Sequence, residues 1–170
     1  MDYILDRRSV RNFDLDKKID KDTLELLCKY GEAAPSARKQ KSREYIIIDD
    51  KSIINELENI YVRSTMRPKN CNYMIAVIGV NPDSISNPEF QPTDLALATE
   101  NIMLKARELG IGSVMLGTYP NEERLLKANK LLNLDDNRFV FTFICLGYPK
   151  DKDAFYVSDK INDIKIGYNK

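Results

Sequence analysis

Histidine is absent from the 170-residue chain. That absence removes histidine-based triads, phosphohistidine chemistry and most zinc enzyme sites. A catalyst built from this sequence must use other side chains or borrow its reactive group from a cofactor. Cysteine is scarce: Cys28, Cys71 and Cys145 are odd in number and lack Cys-x-x-Cys spacing, so they read as small buried hydrophobes. Charge of one sign is not in excess either. The 26 basic residues balance 26 acidic ones, which argues against nonspecific DNA or RNA binding as the main task. A short basic patch can still hold one anionic ligand. No run approaches the roughly 18 apolar residues that suggest a membrane span. The first nine residues lack a basic-then-apolar signal pattern, and a cytoplasmic location is expected. Without an internal repeat or an obvious linker, residues 1–170 read as one domain, long enough to bury about 70% of its unfolded surface.

Periodicity supplies the elements. Tyr3, Ile4 and Leu5 begin a short helix that stops near Arg8. Asp20 caps a helix with Leu24, Leu27 and Cys28 on one side, and Gly31 is expected to end it. A polar loop broken by Pro35 follows, then a strand over Tyr45–Ile48 and a helix over Ser52–Ile60. Tyr73–Val80 is almost wholly apolar, the pattern of a central strand covered on both faces. The stretch from Asn81 to Pro92 contains three prolines and is expected to be irregular. A strong helix then runs to Leu109 and is closed by Gly110. Leu95, Ala98, Ile102, Ala106 and Leu109 make its main stripe, and Leu97, Met103 and Leu104 widen it, so this helix is expected to be central or packed against another subunit. A short β-like segment (Ile111–Leu116), a helix capped by Asn121 and a buried strand (Phe139–Leu146) complete the domain. The tail from Ala154 has little periodicity and reads as an arm that packs on a neighbour. The sum is an α+β, three-layer domain.

Three segments can carry chemistry. Arg7, Arg8, Ser9 and Arg11 place three guanidiniums and a hydroxyl within five residues, suited to wrapping a phosphate; the plainer reading is a solvated charged turn. Pro35, Ser36, Ala37 and Arg38 can let a flat ring approach the backbone, or form an ordinary loop. Gly110–Gly117 can offer backbone groups to a ligand edge, although its spacing is not a dinucleotide fingerprint; otherwise it is a helix stop followed by a buried strand.

Taken in order, these segments resemble the nitroreductase family. The run from Arg7 to Phe13 is similar to the family's first flavin motif, which implies phosphate and ribityl contacts for Arg7, Ser9 and Arg11, with Arg8 also at a contact position. Ala34–Gln40 (APSARKQ) resembles the segment in which proline and small residues of the partner subunit lie against the isoalloxazine, implying that role for Pro35, Ser36 and Ala37. Ala98–Gly117 resembles the dimer helix and the turn whose backbone runs beside the flavin, at Met115, Leu116 and Gly117. Leu146–Ala154 (LGYPKDKDA) matches the family's glycine-tyrosine-proline after the last core strand.

The resemblance implies a nitroreductase-like fold with a central mixed, mainly antiparallel sheet flanked by helices. It also implies FMN, NADH or NADPH as co-substrate, a homodimer with flavin sites at the interface, and a small acceptor such as a nitroaromatic or a quinone. The nicotinamide would deliver hydride to the flavin and leave before the acceptor enters, a cycle that suits a chain without histidine. Neither a nucleic acid nor a membrane partner is implied. Two departures stand out. Lys39 occupies the position of the family asparagine that reaches the pyrimidine side of the flavin, and the motif continues with Gln40, Lys41 and Ser42. The family's downstream basic phosphate ligand has three candidates here, Lys150, Lys152 and Lys160. A noncatalytic flavin-binding or regulatory protein, and a specialised flavin-dependent dehydrogenase or dehalogenase, remain alternative readings.

Overall fold

The computed structural model describes residues 2–168 except 41, 63, 65, 81, 82, 84 and 163, and the side chain of residue 160 also lies outside it. Four strands form the sheet: β1 (Arg43–Ile48), β2 (Tyr73–Val80), β3 (Gly112–Gly117) and β4 (Arg138–Gly147), in spatial order β1-β2-β4-β3. Neighbouring strands all run antiparallel. The one parallel contact among the described residues is a bridge between Ser9 and Ser113 on the outer edge of β3.

β2 lies in the interior of the sheet, and its alternation feeds two cores. Met74, Ala76 and Ile78 enter one, while Ile75 and Val77 enter the other. The second core is covered by α2 (Lys21–Glu32) and α4 (Gln91–Glu108), through Leu24, Leu27, Leu95, Ile102 and Ala106. On the opposite face lie α3 (Lys51–Glu56), its 3-10 continuation Leu57–Asn59, and α5 (Glu122–Leu131), contributing Ile54, Leu57 and Ala128. Helices, sheet and helices make the three layers. The short α1 (Tyr3–Asp6) precedes them and contacts α4.

The caps act as the sequence suggests. The Asp20 carboxylate accepts from Thr23 N–H, and the Asn121 side chain accepts from Arg124 N–H. Gly110 takes φ +73° just after α4, where a Cβ would be strained. Gly31 differs from expectation: α2 runs through it to Glu32. A Cβ on Gly31 would come within 2.9 Å of Ile102 and of the Tyr45 hydroxyl, so this glycine permits close packing of α2 on α4 and β1. The helix expected over Ser52–Ile60 tightens into 3-10 geometry after Glu56, and Pro92 sits in the first turn of α4 rather than before it. Cys71 and Cys145 are buried and Cys28 is half-buried. No helix among the described residues is long and apolar enough to cross a membrane.

Candidate active site

The basic segment is fixed at both ends. Before it, Arg107 donates from Nε and Nη2 to the two carboxylate oxygens of Asp6, at 2.8 and 2.7 Å. Both residues are buried, and the Phe155 ring lies 3.9 Å from the guanidinium carbon of Arg107. This pair ties the residue before Arg7 to the last turn of α4. Arg7 Nε then donates to Glu100 Oε1 at 3.0 Å. After it, Val10 N–H donates to the Ser113 carbonyl at 3.0 Å, and Val10 fills the space over Gly112, where a Cβ would approach within 2.8 Å.

Between these anchors, Arg8 is under-satisfied. Its Nη1 donates to the Arg7 carbonyl at 2.6 Å, but Nε and Nη2 are buried without a hydrogen-bond partner among the described residues. The Tyr156 ring lies 4.7 Å from its guanidinium carbon. Ser9 and Arg11 are exposed, and Arg11 Nη1 donates to the Ser9 carbonyl at 3.0 Å. Buried guanidinium N–H groups without an acceptor are costly, and an anion is the partner they suit best.

β3 is an edge strand. Because the Ser113 carbonyl faces outward to Val10, the alternation of an antiparallel pair turns the N–H and C=O of Met115 and Gly117 to the same free edge. A Cβ on Gly117 would meet nothing within 4 Å, which leaves open space over the face of the sheet at that residue. The Met115 side chain is half-exposed, whereas the Leu116 side chain is buried in the core and its carbonyl accepts from Thr142 Oγ1 at 2.9 Å. Leu116 is thus turned inward while its two neighbours face out. The strand exit is braced by residues that composition does not single out. Tyr61 Oη and Thr118 Oγ1 share a hydrogen bond of 2.6 Å, and Arg124 Nη1 donates to the Gly117 carbonyl at 2.9 Å. Burial pushes the Tyr61 hydroxyl up to about 12.

The loop at Pro35 is locked by two buried charges of opposite sign. Asp94, on the first turn of α4, accepts from Ala37 N–H at 2.9 Å, Gln40 Nε2 at 2.9 Å and Ser42 Oγ at 3.2 Å. Arg43, at the start of β1, donates to the carbonyls of Glu32, Ala34 and Pro35 and to that of Asp94. Held in this way, Arg38 and Lys39 adopt φ of 48° and 58°, in the left-handed region. Ser36 and Ala37 are half-buried and Pro35 is exposed. They border a cavity of about 450 Å³ closed on its other side by Phe90, Thr93 and Leu97. Lys39 is exposed, and its side chain makes no hydrogen bond or ion pair among the described residues.

Of the downstream lysines, Lys150 lies next to the basic segment: its N–H donates to the Asn12 carbonyl at 3.0 Å, beside a bridge between Phe13 and Pro149. Lys152 is exposed. Lys41 and the side chain of Lys160 lie outside the described residues. No group of three or more cysteine, aspartate and glutamate side chains among the described residues is placed to hold a metal ion.

α4 therefore links the first two segments, through Glu100 and Asp94, and the Ser9–Ser113 bridge joins the first to the third. Asp6, Gln40, Arg43, Asp94 and Arg107 hold this arrangement; of the five, the sequence pointed only to Gln40, as a departure from the family motif, and gave it no bracing role. The only signal for Asp94 was a carboxylate inside a helix otherwise read as apolar.

The same chain architecture occurs in known proteins. The nitroreductase family model matches residues 4–77 and 68–148. An Archaeoglobus fulgidus protein with the provisional name NADH dehydrogenase/NAD(P)H nitroreductase is 37% identical over 157 residues, covering 92% of this chain and 88% of the relative. A Clostridium acetobutylicum crystal structure, provisionally named an NADH oxidase, superposes with a TM-score of 0.87 at 32% identity, over 99% of this chain and 100% of that one. An FMN-dependent nitroreductase from Clostridium difficile R20291 shares the fold, with a TM-score of 0.85 at 23% identity over 99% and 98% of the two chains. On this evidence the chain belongs to the nitroreductase family and carries that family's oxidoreductase fold.

Proposed function

We infer that the protein is an FMN-dependent oxidoreductase that passes electrons from NADH or NADPH to a nitroaromatic, a quinone or a similar small acceptor, and that it works as a single-domain homodimer. The observation that carries this reading is the junction at Ser9 and Ser113, which sets a basic segment with unpaired buried donors end to end with the open backbone edge of β3. These features fit the two halves of FMN. Arg7, Arg8, Ser9 and Arg11 suit a phosphate and its ribityl chain. The free N–H groups of Met115 and Gly117, with open space at Gly117, suit the polar edge of a flat ring. Pro35, Ser36 and Ala37 present small groups on a braced loop, as the partner's ring would require.

When bound, FMN supplies hydride acceptance and donation, so that NAD(P)H, a proton and a quinone give NAD(P)+ and a hydroquinone. The chain's own task is binding and placement. The Asp6–Arg107 pair fixes the approach of Arg7, and Asp94 and Arg43 fix the loop at Pro35. Protons can come from solvent, consistent with a chain that has no histidine. The dimer reading rests on α4, where Leu97 is exposed and Leu104 half-buried on the side away from the core, and on the tail, where Tyr156, Val157, Ile164, Ile166 and Tyr168 are exposed.

Anaerobic titration of the purified protein tests the reading. A flavin band should bleach with NADH or NADPH and return when a quinone or a nitroaromatic is added. A bound flavin that neither nucleotide reduces would instead favour the noncatalytic alternative.

A further inference from the structure

Arg124 stands where its own helix gains nothing from it. Asn121 caps α5, so Arg124 is the third helical residue, where a capping box would carry glutamate or glutamine. A cation there also meets the positive end of the helix dipole. Its side chain leaves the helix and reaches the end of β3. Nη1 donates to the Gly117 carbonyl at 2.9 Å, and the guanidinium carbon lies 5.2 Å from the centre of the Tyr61 ring. No carboxylate pairs with it among the described residues, and the adjacent Glu123 is taken by Lys127 at 2.6 Å. The half-buried guanidinium is thus a fixed charge without a counterion.

The peptide groups on both sides of Gly117 are held. The Leu116 carbonyl accepts from Thr142 Oγ1 at 2.9 Å, and the Gly117 carbonyl accepts from Arg124. Within a strand the N–H and C=O of one residue point to the same side, so the guanidinium is held on the free edge of β3, next to the Gly117 N–H. A ring that pairs its polar edge with that N–H becomes more negative on accepting hydride. A cation fixed at the same edge stabilises the reduced ring more than the oxidised one.

We propose that Arg124 is a positioning residue for the cofactor ring: it braces the Gly117 peptide, and its unpaired charge, held at the edge of β3, favours the reduced over the oxidised cofactor. The proposal rests on the FMN reading above and adds to it the residue that sets the redox poise. Arg124 itself transfers no electron or proton.

The test uses the purified holoprotein, with the midpoint potential of its flavin measured by anaerobic spectroelectrochemistry. Arg124→Gln removes the charge and supplies the residue a capping box prefers, so α5 is expected to keep its stability. This variant should shift the ratio of affinities for reduced and oxidised FMN by on the order of tenfold, the reach of one partly exposed charge a few ångströms away. Tenfold is a fall of about 30 mV in the potential of a two-electron couple. Arg124→Glu should lower the potential further, and Arg124→Lys should keep the ratio within about twofold of wild type. A potential unchanged in both the glutamine and the glutamate variants overturns the proposal. So does a lysine variant that falls as far as the glutamine one, which would make the contact a brace without an effect of charge. If wild-type protein binds no FMN, the cofactor reading falls and this proposal with it; FMN bound at a potential indifferent to these variants overturns the proposal alone.

Discussion

Replacing Asp94 with asparagine probes the lock on the Pro35 loop without changing its shape. The carboxylate is 3% exposed and accepts three hydrogen bonds, from Ala37, Gln40 and Ser42. Hydrogen bonds to a charged group contribute about 1.5–3 kcal/mol each, and a buried donor left unpaired costs about 1–3 kcal/mol. Asparagine keeps one acceptor oxygen and turns an NH2 toward at least one donor, so at least one bond is lost and another weakened. The expected destabilisation is about 3 kcal/mol, well below the sum of the parts because neighbouring bonds do not add. For a domain of this size it corresponds to a fall in Tm of about 10 °C. Ser42→Ala removes only the longest of the three bonds and should cost about 1 kcal/mol. Urea unfolding followed by far-ultraviolet circular dichroism measures both changes, with m expected to stay constant because the exposed surface is the same. Relaxation of Arg38 and Lys39 out of the left-handed region should accompany the loss and weaken FMN binding. An Asp94→Asn protein within about 1 kcal/mol of wild type would refute the assignment of Asp94 as the anchor of this loop.

Three further outcomes are expected. Asp6→Ala leaves Arg107 buried without its carboxylate and should cost about 3–5 kcal/mol, whereas Asp6→Leu combined with Arg107→Met should recover much of that, as denaturant titration would show. Arg11→Ala should weaken FMN by roughly tenfold or more in a fluorescence titration of the apoprotein, the equivalent of about 1.5–3 kcal/mol for a charged hydrogen bond. Alkaline unfolding should include a contribution from Tyr61, whose hydroxyl is raised by burial from its ordinary value of 10.0 to about 12. The raised folded value favours the neutral form, so this stabilisation is full below pH 10 and is lost as pH rises toward 12. Tyr61→Phe should flatten that part of the pH profile.

The elements legible in the sequence were those whose cause is local. The apolar run Tyr73–Val80 coincides with β2, and the Asp20 and Asn121 caps begin α2 and α5. Gly110 ends α4 because it can take positive φ. Gly31 looked like a similar stop, but its reason is the approach of Ile102 and the Tyr45 hydroxyl, which no local window contains. The braces of the candidate site were hidden for the same reason. Arg107 and Asp6 are 101 positions apart, and Arg43 and the Asp94 carbonyl 51 apart, so each charge reads as solvated until its partner is in place. Leu116 shows the reverse limit: a family motif names the strand segment, while the pleat decides which of its residues face out.

Release and identification of the bound cofactor test the central claim most directly. The purified protein, heat-denatured and analysed by chromatography, should release FMN at close to one per chain. On the proposed reading the basic segment would cradle one terminal phosphate, and the chain has no glycine-rich turn for a pyrophosphate. Wild-type apoprotein should in turn bind FMN far more tightly than riboflavin, which lacks the phosphate. Near-stoichiometric FAD, or an apoprotein that binds riboflavin as tightly as FMN, would contradict the assignment of Arg7, Arg8, Ser9 and Arg11 to the phosphate of FMN.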